Sequence, residues 1–243
     1  IKNINVSNLH HLLESGIIPV VCGFQGVTED NQKFTTLGRG GSDTTAAALG
    51  AALHADFVEI YTDVDGIMTA DPRVVEKATI LQQISYAEVC QMAHNGAKVI
   101  HPRAVEIAMS SNVPLIVKST FSEAPGTIIT NERAAGSLGS DVAINDNMAS
   151  GVASLSDLAQ FRIALNPEDM SAGRKLFEDL AAAGISVGSL NLSEKEAMFA
   201  VFSPDVERTC EVLDNTEFKY VLNTGCGKVT VVGNAMRGVP GVM

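Results

Sequence analysis

Residues 35–43, TTLGRGGSD, place three glycines, an arginine, a serine and an aspartate just ahead of the alanine-rich run TTAAALGAALHA. Backbone lacking Cβ at Gly38, Gly40 and Gly41 can bend closely around a ligand. A glycine-rich turn that opens a helix also presents free N–H groups and a positive dipole end to an anion. The planar fork of Arg39 suits a carboxylate or a phosphate. Ser42 is placed either to hydrogen-bond such an anion or to cap the helix. Asp43 suits a first helical turn. Three further stretches carry the same kind of signal: GFQG (23–26), TDVDGIMTADPR (62–73) and GAKVIHP (96–102). Lys98 suits a phosphate equally well as water, and His101 before Pro102 suits a packed or capping role. TDVDG lacks the closing glutamate of a calcium loop. The four cysteines, Cys22, Cys90, Cys210 and Cys226, lack metal-site spacing. No metal ligands are therefore assigned.

These loops need a frame. The patterning predicts a helix over 7–15, a strand over 17–22, a hairpin around 23–34, a buried helix over 43–55 and a strand over 57–61 with the acidic turn 63–66 at its carboxyl end. A helix over 86–95 stopped by Gly96, a helix opened by Pro102, and a strand in VPLIVKST follow. Strands alternating with helices predict an α/β fold with a largely parallel sheet and helices on both faces. Ligands of such sheets collect at the carboxyl ends of strands, where the four loops fall.

Residues 131–149 are small, polar and unpatterned and read as a linker. Beyond them LAQFRIALN, MSAGRKLFEDLAAAG, ISVGSLNLS, AMFAVF and DVERTCEVLDN read as βαββα, with KYVLNTGCGKVTVVG as a last strand. This is a small α+β unit with helices on one face.

With 46% hydrophobic and 19% charged residues the chain can bury a core, and disorder is excluded. A net charge of −11 disfavours nucleic acid and anionic membranes. An anionic substrate must then be held by local cations, of which Arg39, Arg73 and Lys98 lie in the motifs. No apolar run reaches the ~18 residues of a transmembrane helix, and no secretory signal is visible, so a reducing cytoplasm is the expected location.

The four loops, in this order on this pattern, resemble the later two-thirds of the catalytic domain of the aspartate kinases, within the amino acid kinase family. The resemblance spans about residues 17–130 and is carried most specifically by TTLGRGGSD. The βαββα unit is similar to the first ACT domain of the same enzymes, and GKVTVVGNAMRGVPGV to the start of a second. The implied division is residues 1–130 partial kinase domain, 131–149 linker, 150–224 first ACT domain and 225–243 the start of another.

The resemblance implies ATP-dependent phosphorylation of the β-carboxylate of L-aspartate. Arg39, Gly40, Gly41 and Ser42 would hold the substrate. Asp43 would orient catalytic lysines, and Lys98 would reach the ATP phosphates. Thr62, Asp63, Met68, Thr69, Ala70, Asp71, Pro72 and Arg73 would meet the nucleotide, with Mg²⁺ held mainly through its phosphates. It further implies an amino-acid effector (lysine, threonine or diaminopimelate) near Met170, Ser171, Ala172, Asn191 and Ser193, and a homo-oligomer joined through ACT domains.

The chain departs from the family pattern in several places. Position 68 is Met68 rather than an aromatic residue, and the turn 165–174 lacks a Pro-Gly pair. No upstream lysine–glycine motif occurs in these residues, so the chain reads as an internal fragment that is nearly inactive alone. Two alternatives stand beside this reading: the kinase part of an aspartokinase–homoserine dehydrogenase, and a non-catalytic amino-acid sensor.

Overall fold

The computed structural model describes residues 1, 3–29, 33–97, 99–131, 149–166, 168–169, 171–233 and 236. The chain divides into two compact units, residues 1–153 with 230–243, and residues 154–229.

Unit 1 begins with α1 (Ser7–Glu14), the hairpin strands β1 (Gln25–Val27) and β2 (Phe34–Thr36), and α2 (Gly41–Ala52). It continues through β3 (Val58–Thr62), β4 (Gln83–Ser85), α3 (Tyr86–His94), α4 (Pro102–Ser111), β5 (Leu115–Ser119) and β6 (Thr127–Thr130). The main sheet has the order β3-β5-β6-β4, with β3–β5 and β6–β4 parallel and β5–β6 antiparallel. It is thus mostly parallel, as the pattern predicts. The antiparallel step and the three-residue β4 have too short a signal to be read from sequence.

Local chemistry sets the helix ends. Ser85 and Glu88 form a reciprocal capping box at the start of α3, worth about 1 kcal/mol. His101 caps α4, its Nδ1 accepting from Arg103 N at 3.2 Å, with Pro102 in the first turn. Helix α2 packs so closely on β3 that a Cβ on Gly50 would lie 2.2 Å from Val58 Cγ2. The core gathers Ala47 from α2, Ile60 from β3, Tyr86, Val89 and Met92 from α3, Ala104, Val105 and Ala108 from α4, Leu115 and Val117 from β5, and Ile129 from β6.

One expectation fails in unit 1. Residues 17–22 form no ladder, and Ile18 and Val20 are 87% and 97% exposed. Pro19 removes a donor from this stretch, and none of the described strands pairs with it, so apolar alternation alone does not make a strand there.

Unit 2 carries β7 (Gly151–Ala164), α5 (Ala172–Ala182), β8 (Gly188–Leu192), β9 (Glu196–Phe202), α6 (Val206–Asp214) and β10 (Tyr220–Val232), with the unit boundary falling within β7 and within β10. This βαββαβ order builds a sheet in the sequence β10-β7-β9-β8. Its core joins Phe161 and Ile163 to Phe199, Leu176, Leu180 and Leu213, and the rings of Phe161 and Phe199 stack at 5.5 Å. Strand β7 begins seven residues earlier than LAQFRIALN suggests, because residues 151–157 are a polar-rich stretch that pairs all the same. Among the described residues no helix is long and apolar enough to cross a membrane.

Candidate functional site

The glycine-rich turn sits at the amino end of α2. Gly38 and Gly40 take positive φ values of 77° and 68°, and Gly40 is the N-cap residue. Ser42 is therefore not the cap. It lies inside the first turn, and its hydroxyl points to its neighbour Asp43 at 3.4 Å. Thr44 and Thr45 return their hydroxyls to the carbonyls of Gly40 and Gly41 at 2.7 and 2.8 Å. The turn also closes on itself, Gly41 N donating to Gly38 O at 3.0 Å. Thr45 also accepts from Phe24 N at 3.1 Å, which ties the GFQG loop to the same helix. Arg39 is exposed and makes no ion pair among the described residues.

Two of the sequence-distant loops meet here. The backbone N–H of His101 points to Asp43 Oδ2 at 3.4 Å, and the His101 side chain covers Gly40 so closely that a Cβ there would lie 2.3 Å from it. Helices α2 and α4 pack together beneath this junction. GRGGSD and GAKVIHP are thus neighbours in space, 58 residues apart in the chain. Lys98 itself lies outside the described residues.

The third loop leaves the carboxyl end of β3. Thr62 Oγ1 donates to Asp63 Oδ1 at 3.1 Å. The loop is then anchored from below by buried Thr127 of β6, whose Oγ1 accepts from Ile67 N at 2.8 Å and donates to Leu81 O at 2.6 Å. Gly66, at φ 155°, packs against that hydroxyl, 2.6 Å from where a Cβ would stand. Met68 bridges Ile80, and Thr69 N donates to Thr79 O at 2.9 Å, so this segment is an ordered ribbon. At its end Arg73 grips Asp71 through Nε at 3.0 Å and Nη2 at 2.7 Å, while Arg73 N adds a bond of 2.9 Å to the same carboxylate. The guanidinium holds the Asp71 carboxyl below its ordinary range, and Asp71 in turn raises the Arg73 pKa. With its side chain 88% exposed, Arg73 is free to leave that partner for a stronger anion.

A polar cluster on β3 and β5 escapes sequence reasoning. Lys118 Nζ meets Glu59 Oε1 at 2.5 Å and lies 4.9 Å from the centre of the Tyr61 ring, while Tyr61 donates to Glu59 Oε2 at 3.0 Å. The pair raises the lysine pKa and lowers that of the glutamate. The only signal in the sequence was a charge at alternate positions of VEIYT and LIVKS, which reads as an ordinary solvent-facing pattern.

In unit 2, Asp169 gathers the start of α5: Oδ1 accepts from Ser171 Oγ at 2.6 Å and Ser171 N at 2.9 Å. Those bonds lower its pKa. A Cβ on Gly173 would lie 3.6 Å from Leu192 Cδ1, so the turn holding Ser171 and Ala172 lies beside the end of β8 that carries Asn191. Ser193 closes the β8–β9 turn through bonds of 3.1 Å with Glu196 O and Glu196 N. Met170 lies outside the described residues.

Among the described residues no three His, Cys, Asp or Glu side chains gather to hold a metal ion.

The family model described as the amino acid kinase family matches residues 1–119. Aspartokinase 1 of Bacillus subtilis (strain 168) is 44% identical over 223 residues, 92% of this chain and 54% of that protein. A crystal structure of E. coli aspartokinase III in complex with aspartate and ADP (R-state) aligns with a TM-score of 0.73 at 31% identity, covering 98% of this chain and 53% of that one. The same enzyme in complex with lysine and aspartate (T-state) aligns with a TM-score of 0.71 at 31% identity, covering 88% and 47%. The chain spans about half the length of these relatives.

Proposed function

We propose that this chain, whose residues 1–119 match the amino acid kinase family, is part of an ATP:L-aspartate 4-phosphotransferase under amino-acid feedback control. The observation that carries the proposal is the meeting of Asp43 with the His101 backbone. It brings the arginine-bearing, glycine-rich helix start together with His101, which supports reading the two motifs as parts of one anion site.

On this reading Arg39 holds a substrate carboxylate through its exposed guanidinium, with Ser42 and the glycine backbone of Gly40 and Gly41 beside it. Asp43 orients cationic groups, Lys98 among them. Thr62, Asp63 and the ribbon 68–73 form the nucleotide side, and Arg73 exchanges Asp71 for a phosphate when nucleotide binds. Bound ATP would supply the phosphoryl group, and Mg²⁺ would be held mainly through its phosphates. The acceptor carboxylate is ionised at neutral pH, so the protein needs no general base and contributes positioning and charge neutralisation.

Residues 150–224 act as an ACT domain in this proposal, with 225–243 opening a second. Ser171, Ala172, Asn191 and Met170 would face the effector. Ser193 serves the turn first. The lysine in the T-state complex of the E. coli enzyme supports an amino acid of this kind as effector. Association through these sheets and a cytoplasmic location belong to the same proposal.

The test is ATP-dependent trapping of acyl phosphate by hydroxylamine, comparing L-aspartate with L-glutamate. It is run on this chain and on one extended upstream. Aspartate-specific hydroxamate from the extended chain, with little from the shorter one, is the expected result. No product from either overturns the kinase reading in favour of the sensor.

A further inference from the structure

The chain leaves unit 1 after Ala153 and re-enters it at Thr230. Both crossing points lie against the candidate nucleotide loops. Ser150 N donates to Val232 O at 2.8 Å, which pairs the outgoing and returning segments. From this pair three hydrogen bonds reach out. Ser150 Oγ donates to Glu88 Oε1. Glu88 is 2% exposed, and its other carboxylate oxygen accepts from Ser85 N at 2.9 Å and Ser85 Oγ at 2.6 Å, at the amino end of α3. Thr230 Oγ1 donates to Asn95 Oδ1 at 3.1 Å, at the carboxyl end of the same helix. Val152 N donates to Thr69 O at 2.7 Å, in the ribbon 68–73.

The packing leaves no slack. A Cβ on Gly151 would lie 3.0 Å from Thr69 O and 3.1 Å from Met92 Cε of α3, and Val232 is fully buried in the core that contains Met92. One paired segment thus fastens α3 at both ends and holds the Thr69 backbone. Helix α3 ends at His94, shortly before Gly96 and Ala97, which open the GAKVIHP motif, and Thr69 lies in the other candidate nucleotide loop.

We propose that residues 150–152 and 230–232 form a clip that sets the separation of the two nucleotide loops, and that Ser150 and Thr230 are positioning residues for ATP. The inference rests on the kinase reading above. A buried hydrogen-bonded carboxylate is a stiff anchor, because moving it away from its donors strands charge in the core. Small shifts of β7 or β10 are therefore passed to α3 and Thr69 rather than absorbed. The same strands carry unit 2, so a ligand that changes their position changes ATP affinity, and ATP changes that ligand's affinity by the same factor.

The experiment uses the upstream-extended protein with Thr230→Val, Thr230→Ser and Ser150→Ala. Loss of the Thr230 hydroxyl is expected to raise the ATP KM about three- to tenfold, the range of one lost hydrogen bond, while the aspartate KM stays within about twofold. Thr230→Ser keeps the hydroxyl and is expected to restore the ATP KM, and Ser150→Ala to act in the same direction as Thr230→Val. An unchanged ATP KM, or an aspartate KM that rises in step with it, overturns the clip. If the extended wild-type protein yields no aspartyl hydroxamate, the kinase reading fails. Hydrogen exchange on the present chain then decides the clip. Faster exchange at residues 67–70 and 93–97 in Thr230→Val, with β5 unchanged, supports it, and identical exchange overturns it.

Discussion

His101 lies across Gly40 with no space between them: a Cβ at that glycine would stand 2.3 Å from the histidine side chain. This contact joins two loops that the chain order keeps far apart. Gly40→Ala meets both a left-handed backbone at φ 68° and this clash. It is expected to destabilise the chain by about 2–4 kcal/mol in urea denaturation. Gly38→Ala has the same backbone cost at φ 77° but nothing within 4 Å, and should lose only about 1–2 kcal/mol. Equal losses would show that the packing of His101 on the turn contributes nothing.

Arg39 stands exposed without an ion-pair partner among the described residues, so its charge is available to a ligand. Arg39→Lys keeps the charge and removes the two-pronged geometry. Steady-state kinetics of the extended protein should show the aspartate KM rising about tenfold or more with the ATP KM unchanged. A change confined to the ATP KM would move Arg39 to the nucleotide side.

Thr127 anchors the segment leading into the ribbon 68–73 through one hydroxyl. Thr127→Val keeps the shape and strands the Ile67 N–H and Leu81 carbonyl, which the hydroxyl meets at 2.8 and 2.6 Å. A loss of about 2–3 kcal/mol in urea denaturation is expected, with Thr127→Ser recovering most of it.

Tyr86 is buried and donates to Val113 O at 2.7 Å, and burial pushes its pKa up to about 12. The folded state thus favours the protonated phenol. The stability this contributes is fully present below the unfolded value of 10.0 and is lost as pH rises through about 12. Urea midpoints should therefore fall from about pH 8 to about pH 11 more steeply in the wild type than in Tyr86→Phe. Parallel falls would refute a perturbed phenol.

Much of this architecture is written in short-range chemistry. Pro102 and Gly96 mark helix ends by mechanisms that work within four residues, and the structure places those ends where the residues predict. Gly40 as the true cap of α2 was less legible, because Ser42 offers the commoner capping side chain and only backbone geometry favours the glycine. Residues 17–22 misled for another reason. Strand patterning states what a segment can do if a partner lies alongside, and the pattern says nothing about the partner. The site divides in the same way. The motif residues could be named one by one, whereas the meeting of Asp43 with His101, the Thr127 anchor and the Glu59–Lys118–Tyr61 cluster are products of three-dimensional closure.

The single backbone bond from Ser150 to Val232 also bears on how such a protein can be taken apart. The points where the chain departs from unit 1 and returns to it are one hydrogen bond apart, so residues 154–229 form a cassette with adjoining ends. A module inserted this way can be lengthened, exchanged or cut out and closed with a short turn without changing the order of any strand in its host. Units of different sequence can then be traded at this position while the frame of unit 1 is inherited intact.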